Sequence, residues 1–289
     1  MTEDASPREI LRPGDIVQLT DPKGRHHTLV LEVGRAFHTH KGALAHDDII
    51  GRPEGIVVTS TGGTSYVVLR SLLEDFVLAM PRGAAVIYPK ESARIVMAAG
   101  LRPGWRVLEA GAGSGALTCS LLTAIGPTGQ VVSIERRADF ADVARGNVER
   151  WFHGVPDWWE LHVGDVRDYR PVEPFDAMVL DMLDPWECLD AASADVRPGG
   201  VLVVYVATTT QLSRAAEDLR RTGRWTEPRA EESLMRTWHL EGLAVRPDHR
   251  MIGHTGFLLV TRRLAEGTVL PPRRTRPAKG AYGAEDTPS

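Results

Sequence analysis

A chain of 289 residues is long enough for one large α/β domain and a smaller companion. It is 43% hydrophobic and 25% charged, an ordinary globular composition. A formal net charge of −4 does not suit a compact DNA-binding module, but it leaves RNA open, because a basic groove can sit on an acidic body. No run of about 18 apolar residues is present to span a bilayer, and Met1-Thr2-Glu3-Asp4 lacks the apolar stretch of a signal peptide. Cys119 and Cys188 each fall in an expected core segment and read as reduced thiols of a cytoplasmic protein rather than a disulfide framework.

Residues 1–75 read as a small all-β domain. Asp15–Thr20, Thr28–Val33, Gly55–Ser60 and Ser65–Arg70 are β-branched or alternating, and Asp21-Pro22-Lys23-Gly24 and Thr61-Gly62-Gly63 are turn signals. A connecting region over 76–105 holds a helix from Ser92 to Ala99. From 106 to 264 strands and helices alternate, the pattern of a doubly wound, Rossmann-like α/β sheet. Strands are expected over Arg106–Ala110, Gln130–Glu135, Trp159–Val163, Phe175–Asp181 and Val201–Ala207, with Arg197-Pro198-Gly199-Gly200 as a tight turn into the last. Helices are expected over Gly115–Ile125, near Ala138–Phe152 and around Leu212–Leu219. Two final segments, Met235–Ala244 and Gly256–Arg262, read as a terminal hairpin. Residues 265–289 hold four prolines and read as a disordered tail whose Arg273, Arg274, Arg276 and Lys279 are more simply solvated than RNA-bound.

The sharpest local signal is Val107-Leu108-Glu109-Ala110-Gly111-Ala112-Gly113-Ser114-Gly115. An apolar strand ends beside an acidic residue, glycines let the backbone turn and approach a ligand, and the next helix presents its N-terminal amides there. Gly111, Gly113 and Ala116 satisfy the spacing of a dinucleotide loop, which keeps a nicotinamide-dependent oxidoreductase as one reading. Glu109 and Gly115 favour instead the E-x-G-x-G-x-G form typical of S-adenosylmethionine enzymes. On that reading Glu109, Gly111, Gly113, Ser114, Gly115, Ala116 and Leu117 are cofactor-binding residues. Glu135 closes the next strand, 24 residues after Gly111, where a carboxylate accepts both ribose hydroxyls. Asp165-Val166 follows the third strand, and Asp165 suits the exocyclic amine of a bound adenine.

Phe175–Asp181 is a buried-type strand ending in a carboxylate, so Asp181 is expected to point into the crevice beside the transferable methyl. Asp184 is the second choice for that role, although Asp184-Pro185-Trp186 reads more simply as a helix start, with Asp as N-cap and Pro in the first turn.

Gly83–Glu91, Val107–Gly115 and Leu180–Trp186 together resemble the TrmI-type tRNA (adenine-N1)-methyltransferases, in particular their actinobacterial branch. So do Phe37-His38-Thr39-His40, Tyr205–Leu212 and Gly253–Phe257, so that the resemblance covers roughly residues 10–265. It implies a small N-terminal β domain, a class I methyltransferase domain, a homotetramer and a tRNA substrate methylated at adenine 58. It further implies that Asp181 is the active-site aspartate, that it also lies at the cofactor, and that Tyr88 positions the target base. Where the family often has Tyr-Pro-Lys-Asp, this chain has Tyr88-Pro89-Lys90-Glu91, one methylene longer. The competing readings are a class I methyltransferase with a small-molecule or protein acceptor, and a non-catalytic RNA-binding subunit, which would be expected to lack the carboxylates present here.

Five of the ten histidines fall within the first 46 residues, and His38, His40 and His46 are spaced like metal ligands. No cysteine or clear fourth ligand joins them, so no metal is expected and RNA-facing or hydrogen-bonded roles are favoured. His254 sits in a glycine-flanked turn that either reaches the cleft or does not. Trp158 and Trp159 read as core, and Arg136, Arg137, Arg145 and Arg150 as a solvated helix edge.

Overall fold

A computed structural model describes residues 10–83 and 85–271. Six short strands come first: β1 (Ile16–Thr20), β2 (His26–Val30), β3 (Ala36–Thr39), β4 (Gly42–Ala45), β5 (Ile56–Thr59) and β6 (Ser65–Arg70). Four of them form an antiparallel sheet in the order β2-β1-β6-β5, and β3 and β4 pair as a separate hairpin. Period-two alternation sorts β6 into buried Tyr66 and Val68 and exposed Val67 and Leu69. The buried set joins Leu11, Val17, Leu19, Leu31 and Leu44 in a core of its own.

The second strand was expected over 28–33 but runs from His26 to Val30. The reason is the tight turn before it: the Asp21 carboxylate accepts the N–H groups of Lys23 (2.8 Å) and Arg25 (3.1 Å), so pairing begins at once with Thr20 opposite His26. The β3–β4 hairpin was not expected because Ala36–Thr39 and Gly42–Ala45 hold few β-branched residues, unlike the equally short Ile56–Thr59.

Helix α1 (Leu73–Ala79) was also unforeseen; the Asp75 carboxylate accepts the Leu72 N–H at its start (3.1 Å). Helix α2 (Pro89–Ala99) begins a turn earlier than expected, with Pro89 in its first turn, and stops at Gly100, whose φ of 67° is left-handed.

The remaining elements are β7 (Arg106–Ala110), α3 (Ala116–Ile125), β8 (Gln130–Glu135), α4 (Ala138–Phe152), β9 (Trp159–Val163), β10 (Phe175–Asp181), α5 (Leu189–Asp195), β11 (Val196–Val206), α6 (Thr209–Thr222), β12 (Arg229–Glu231), β13 (Trp238–Glu241), β14 (Ala244–Pro247) and β15 (Phe257–Arg262). Seven of these strands form one sheet in the order β12-β15-β11-β10-β7-β8-β9. Its strands β11, β10, β7, β8 and β9 run parallel, and β15 returns antiparallel beside β11. Both faces are covered. Val107, Val131, Val179 and Val203 meet α1 to α4, while Leu108, Val132, Leu180 and Val204 meet α5 and α6. Each such side chain contributes about 1.5–3 kcal/mol by leaving water.

The turn at Arg197–Gly200 is real but lies inside β11, between the pairs Phe175–Val196 and Ala177–Val201. The expected terminal hairpin is corrected. Residues 238–241 pair with β14, whereas β15 pairs with β11 and β12. The apolar, β-branched β15 is drawn into the large sheet, and its partners lie far away in sequence. Among the described residues no helix is long and apolar enough to cross a membrane. Cys119 and Cys188 are buried free thiols. Residues 265–271 of the expected tail are placed, with the Thr268 N–H donating to the Ala265 carbonyl (3.2 Å); Arg273, Arg274, Arg276 and Lys279 lie outside the described residues.

Candidate active site

From β7 the chain steps outward to β8 and β9, then crosses back to β10 and β11 on the other side of β7. That reversal opens a crevice at the carboxyl ends of the strands, where open α/β sheets bind ligands. A cavity of about 770 Å³ lies there, within the range of small-molecule sites. Gly111, Glu135, Asp181 and Tyr205, from the ends of β7, β8, β10 and β11, all line it.

Glu135 organises the glycine loop. One of its oxygens accepts the Gly113 N–H (2.9 Å) and the other the Arg137 N–H (3.0 Å). A carboxylate has about four acceptor positions, so lone pairs remain for a vicinal diol. Gly111 packs against it so closely that a β-carbon there would lie 2.9 Å from Glu135 Oε2. The arrangement weighs against the dinucleotide reading at one point: the Gly113 N–H, which a pyrophosphate would need, already serves the Glu135 carboxylate. Ile134, Val166 and Phe140 give the same part of the cavity apolar walls suited to a purine. A nucleoside-bearing methyl donor fits these residues.

Asp181 is half-buried at the end of β10, directly beside Tyr205 in the parallel register. Burial, with Glu135 nearby, pushes its carboxyl up to about 7. Tyr205 is held by two contacts. Its hydroxyl donates to the Thr255 carbonyl (2.8 Å), and its ring lies on Gly256, where a β-carbon would come within 2.3 Å of Cζ. Burial, then Glu91 and Asp181, push its hydroxyl up to about 12, so it stays a neutral phenol. Tyr88 lines the same cavity as the N-cap of α2.

Behind Tyr88 sits a buried cluster. Lys90 Nζ donates to Glu91, to the Thr255 hydroxyl (2.6 Å) and to the Ser233 carbonyl (2.7 Å). The Thr255 hydroxyl in turn donates to Glu91 Oε1 (2.5 Å). These bonds join α2 to the loop before β15, and Thr255 is itself a wall of the cavity.

Several expected cofactor residues are placed elsewhere. Glu109 is fully buried and points under the loop, where its Oε2 accepts the hydroxyls of Thr118 (2.7 Å) and Ser133 (2.6 Å). Burial pushes its carboxyl up to about 8. Ser114 turns inward, accepting the Gly83 N–H (3.2 Å). Gly115 caps α3 against Ala144, and Ala116 and Leu117 are core residues, so none of these three lines the cavity. Asp165 is gripped by Arg167, whose Nε and Nη2 donate to it (3.0 and 2.8 Å) and hold it well below the usual carboxylate range. Its neighbours Gly164 and Val166 line the cavity; its own side chain does not.

Asp184 stands before the short 3-10 turn Pro185–Cys188, with Pro185 first, and is exposed. His254 bonds Glu232 (2.8 Å) and the Ala207 carbonyl (2.9 Å), and both raise its pKa, the carbonyl more. His46 is buried and accepts the Glu32 N–H (3.0 Å), while His38 and His40 are exposed. Among the described residues no three His, Cys, Asp or Glu side chains cluster to hold a metal. Trp159 is buried, with its indole N–H on Ser133. Arg136 and Arg137 reach the cavity mouth and are not merely a helix edge. Arg82, Tyr205 and Thr255 were not expected as cavity walls, although Tyr205 and Thr255 lie in segments that carry the resemblance.

A parallel sheet closed by an antiparallel return strand, with a ribose-type carboxylate bound to its glycine loop, places this chain among the class I S-adenosylmethionine-dependent methyltransferases. Comparison with known proteins narrows the class. Residues 10–58 match the TrmI-like N-terminal model, and residues 65–245 match that of the tRNA methyltransferase complex GCD14 subunit. The chain belongs to the TrmI/GCD14 family of tRNA methyltransferases. It is 36% identical over 255 residues to the tRNA (adenine(58)-N(1))-methyltransferase TrmI of Thermus thermophilus, covering 87% of this chain and 97% of that one. It is 31% identical to the tRNA (adenine(57)-N(1)/adenine(58)-N(1))-methyltransferase TrmI of Methanocaldococcus jannaschii, over 84% of this chain and 93% of that one. Among solved structures, a SAM-dependent O-methyltransferase from Thermotoga maritima superposes with a TM-score of 0.85 at 27% identity, covering 90% and 97% of the two chains. The tRNA (m1A58) methyltransferase TrmI of Aquifex aeolicus gives 0.78 at 25%, covering 89% and 99%.

Proposed function

We propose that this enzyme transfers a methyl group from S-adenosylmethionine to N1 of adenine 58 in the T-loop of tRNA, giving 1-methyladenosine. The observation that carries the reading is Asp181: a carboxylate lining the glycine-loop crevice, sharing one cavity with two aromatic residues, Tyr88 and Tyr205. Gly111, Glu135 and Asp181 line the cavity that would hold the cofactor, which when bound would supply an electrophilic sulfonium methyl.

Adenine N1 attacks through an in-plane lone pair and needs no proton removed first. As the N1–methyl bond forms and the methyl–sulfur bond breaks, a neutral thioether leaves and the positive charge passes to N1 and the exocyclic amine. Asp181, ionised, accepts a hydrogen bond from that amine, which orients the base and stabilises the growing charge. Tyr88 and Tyr205 give the base apolar surface to lie against. The T-loop must release the adenine, at a cost of a few kcal/mol of unstacking, and the mostly apolar cavity offsets part of that.

The enzyme is further proposed to work in the cytoplasm as a homotetramer. The exposed apolar residues of the β13–β14 hairpin, Trp238, Leu240, Leu243 and Val245, support an association surface; light scattering tests it. The activity itself is tested by incubating the purified protein with labelled methyl donor and unmodified tRNA, then mapping the modified nucleotide by mass spectrometry. Label at N1 of adenine 58 is expected. Label confined to a small molecule or a protein would defeat the reading.

A further inference from the structure

Among the described residues three arginines line the cavity: Arg82, Arg136 and Arg137. Two of them face carboxylates, Arg136 at 3.5 Å from Asp165 and Arg137 at 2.6 Å from Asp139. Arg82 differs. Among the described residues its hydrogen-bond partners are backbone carbonyls, those of Val77 (3.3 Å) and Leu78 (2.9 Å) in the last turn of α1. Both bonds come from the single nitrogen Nη2, and a guanidinium carries five N–H donors. The side chain is exposed, and its Cζ lies 6.0 Å from the centre of the Tyr88 ring. The carbonyls of α1 therefore hold an exposed cation beside Tyr88, and among the described residues its other N–H donors form no hydrogen bond.

We propose that Arg82 binds a backbone phosphate next to the adenosine delivered into the cavity. The inference rests on the tRNA reading above and adds a named contact to it. A base drawn out of its loop brings its sugar and phosphodiester to the mouth of the site. On a chain of net charge −4, a cation at that mouth must supply the attraction locally. An arginine suits the task because its planar fork matches two phosphate oxygens. Anchoring by α1 also reduces the side-chain freedom lost on binding.

The test measures binding of labelled, unmodified tRNA across a KCl series for the wild type, Arg82→Gln and Arg82→Lys. Losing one phosphate contact is expected to reduce the slope of log K against log [salt] by about 0.7–0.9 and to weaken binding about tenfold at low salt. Arg82→Lys keeps the charge and is expected to keep the slope while losing part of the affinity. In turnover, Arg82→Gln should raise KM for tRNA with kcat changed by less than about threefold, and leave S-adenosylmethionine affinity unaltered. An unchanged salt slope in Arg82→Gln overturns the proposal, and so does an Arg82→Lys protein that loses the slope as fully as glutamine does. A wild type that methylates no tRNA would instead remove the functional reading beneath it.

Discussion

Glu109→Gln separates a buried structural carboxyl from a cofactor ligand. Glu109 is fully buried, two hydroxyls donate to its Oε2, and its Oε1 has no partner among the described residues. Burial moves its pKa from the ordinary 4.5 to about 8, so the folded chain carries the proton at pH 7. The unfolded chain releases it near 4.5. Between these values the native state binds more protons than the unfolded state, and stability falls as pH rises. Each pH unit in that window costs about 1.4 kcal/mol, which comes to about 3 kcal/mol at pH 7 as an order of magnitude. Glutamine is close to isosteric with the protonated acid, keeps an acceptor for Thr118 and Ser133, and does not titrate. The variant is therefore expected to match the wild type near pH 4 and to exceed it increasingly up to about pH 8. Urea denaturation at several pH values measures the difference, and titration with S-adenosylmethionine should show affinity within about threefold of the wild type. A stability difference independent of pH would refute the linkage argument. A hundredfold loss of cofactor affinity would return Glu109 to the binding site.

Asp181 must be ionised to accept a hydrogen bond from the base, and its pKa in the free enzyme is about 7. The kcat/KM for tRNA should thus rise with pH through about 7, and Asp181→Asn should flatten that limb while lowering turnover by about 10²–10³ with cofactor binding retained; a wild-type profile level from pH 6 to 8 counts against it. Gly256→Ala puts a β-carbon 2.3 Å from the Tyr205 ring and should cost about 1–3 kcal/mol of stability. The same change in a Tyr205→Ala background should cost far less, and equal losses in both would show that the ring is not the obstacle. Gly111→Ala drives a methyl against Glu135 Oε2 at 2.9 Å and should weaken S-adenosylmethionine binding at least tenfold by calorimetry. Undiminished affinity would mean that Glu135 does not hold the cofactor through this loop.

The order of strands and helices from β7 to α6 was legible because each element is long enough to show its period and is punctuated by glycine or proline. The short strands β3 and β4, with few β-branched residues, carry no such signal, and β15 was given the wrong partner because its neighbours are chosen by the sheet rather than by the adjoining turn. The site divides along the same line. Local chemistry alone marked Gly111, Glu135 and Asp181, since a glycine turn and carboxylates at strand ends are features of contiguous residues, and the resemblance added Tyr88. Alternation along a strand says that successive side chains point to opposite faces, but not which face lies under a helix and which opens to a crevice. Packing against α3 settled that for Glu109, and Arg167 settled it for Asp165. Likewise the Thr255 hydroxyl donates to Glu91 across 164 residues of chain, and Tyr205 rests on a glycine it meets only because β11 and β15 pair. Contacts of that range are made by the folded sheet, whose geometry no local run of residues contains.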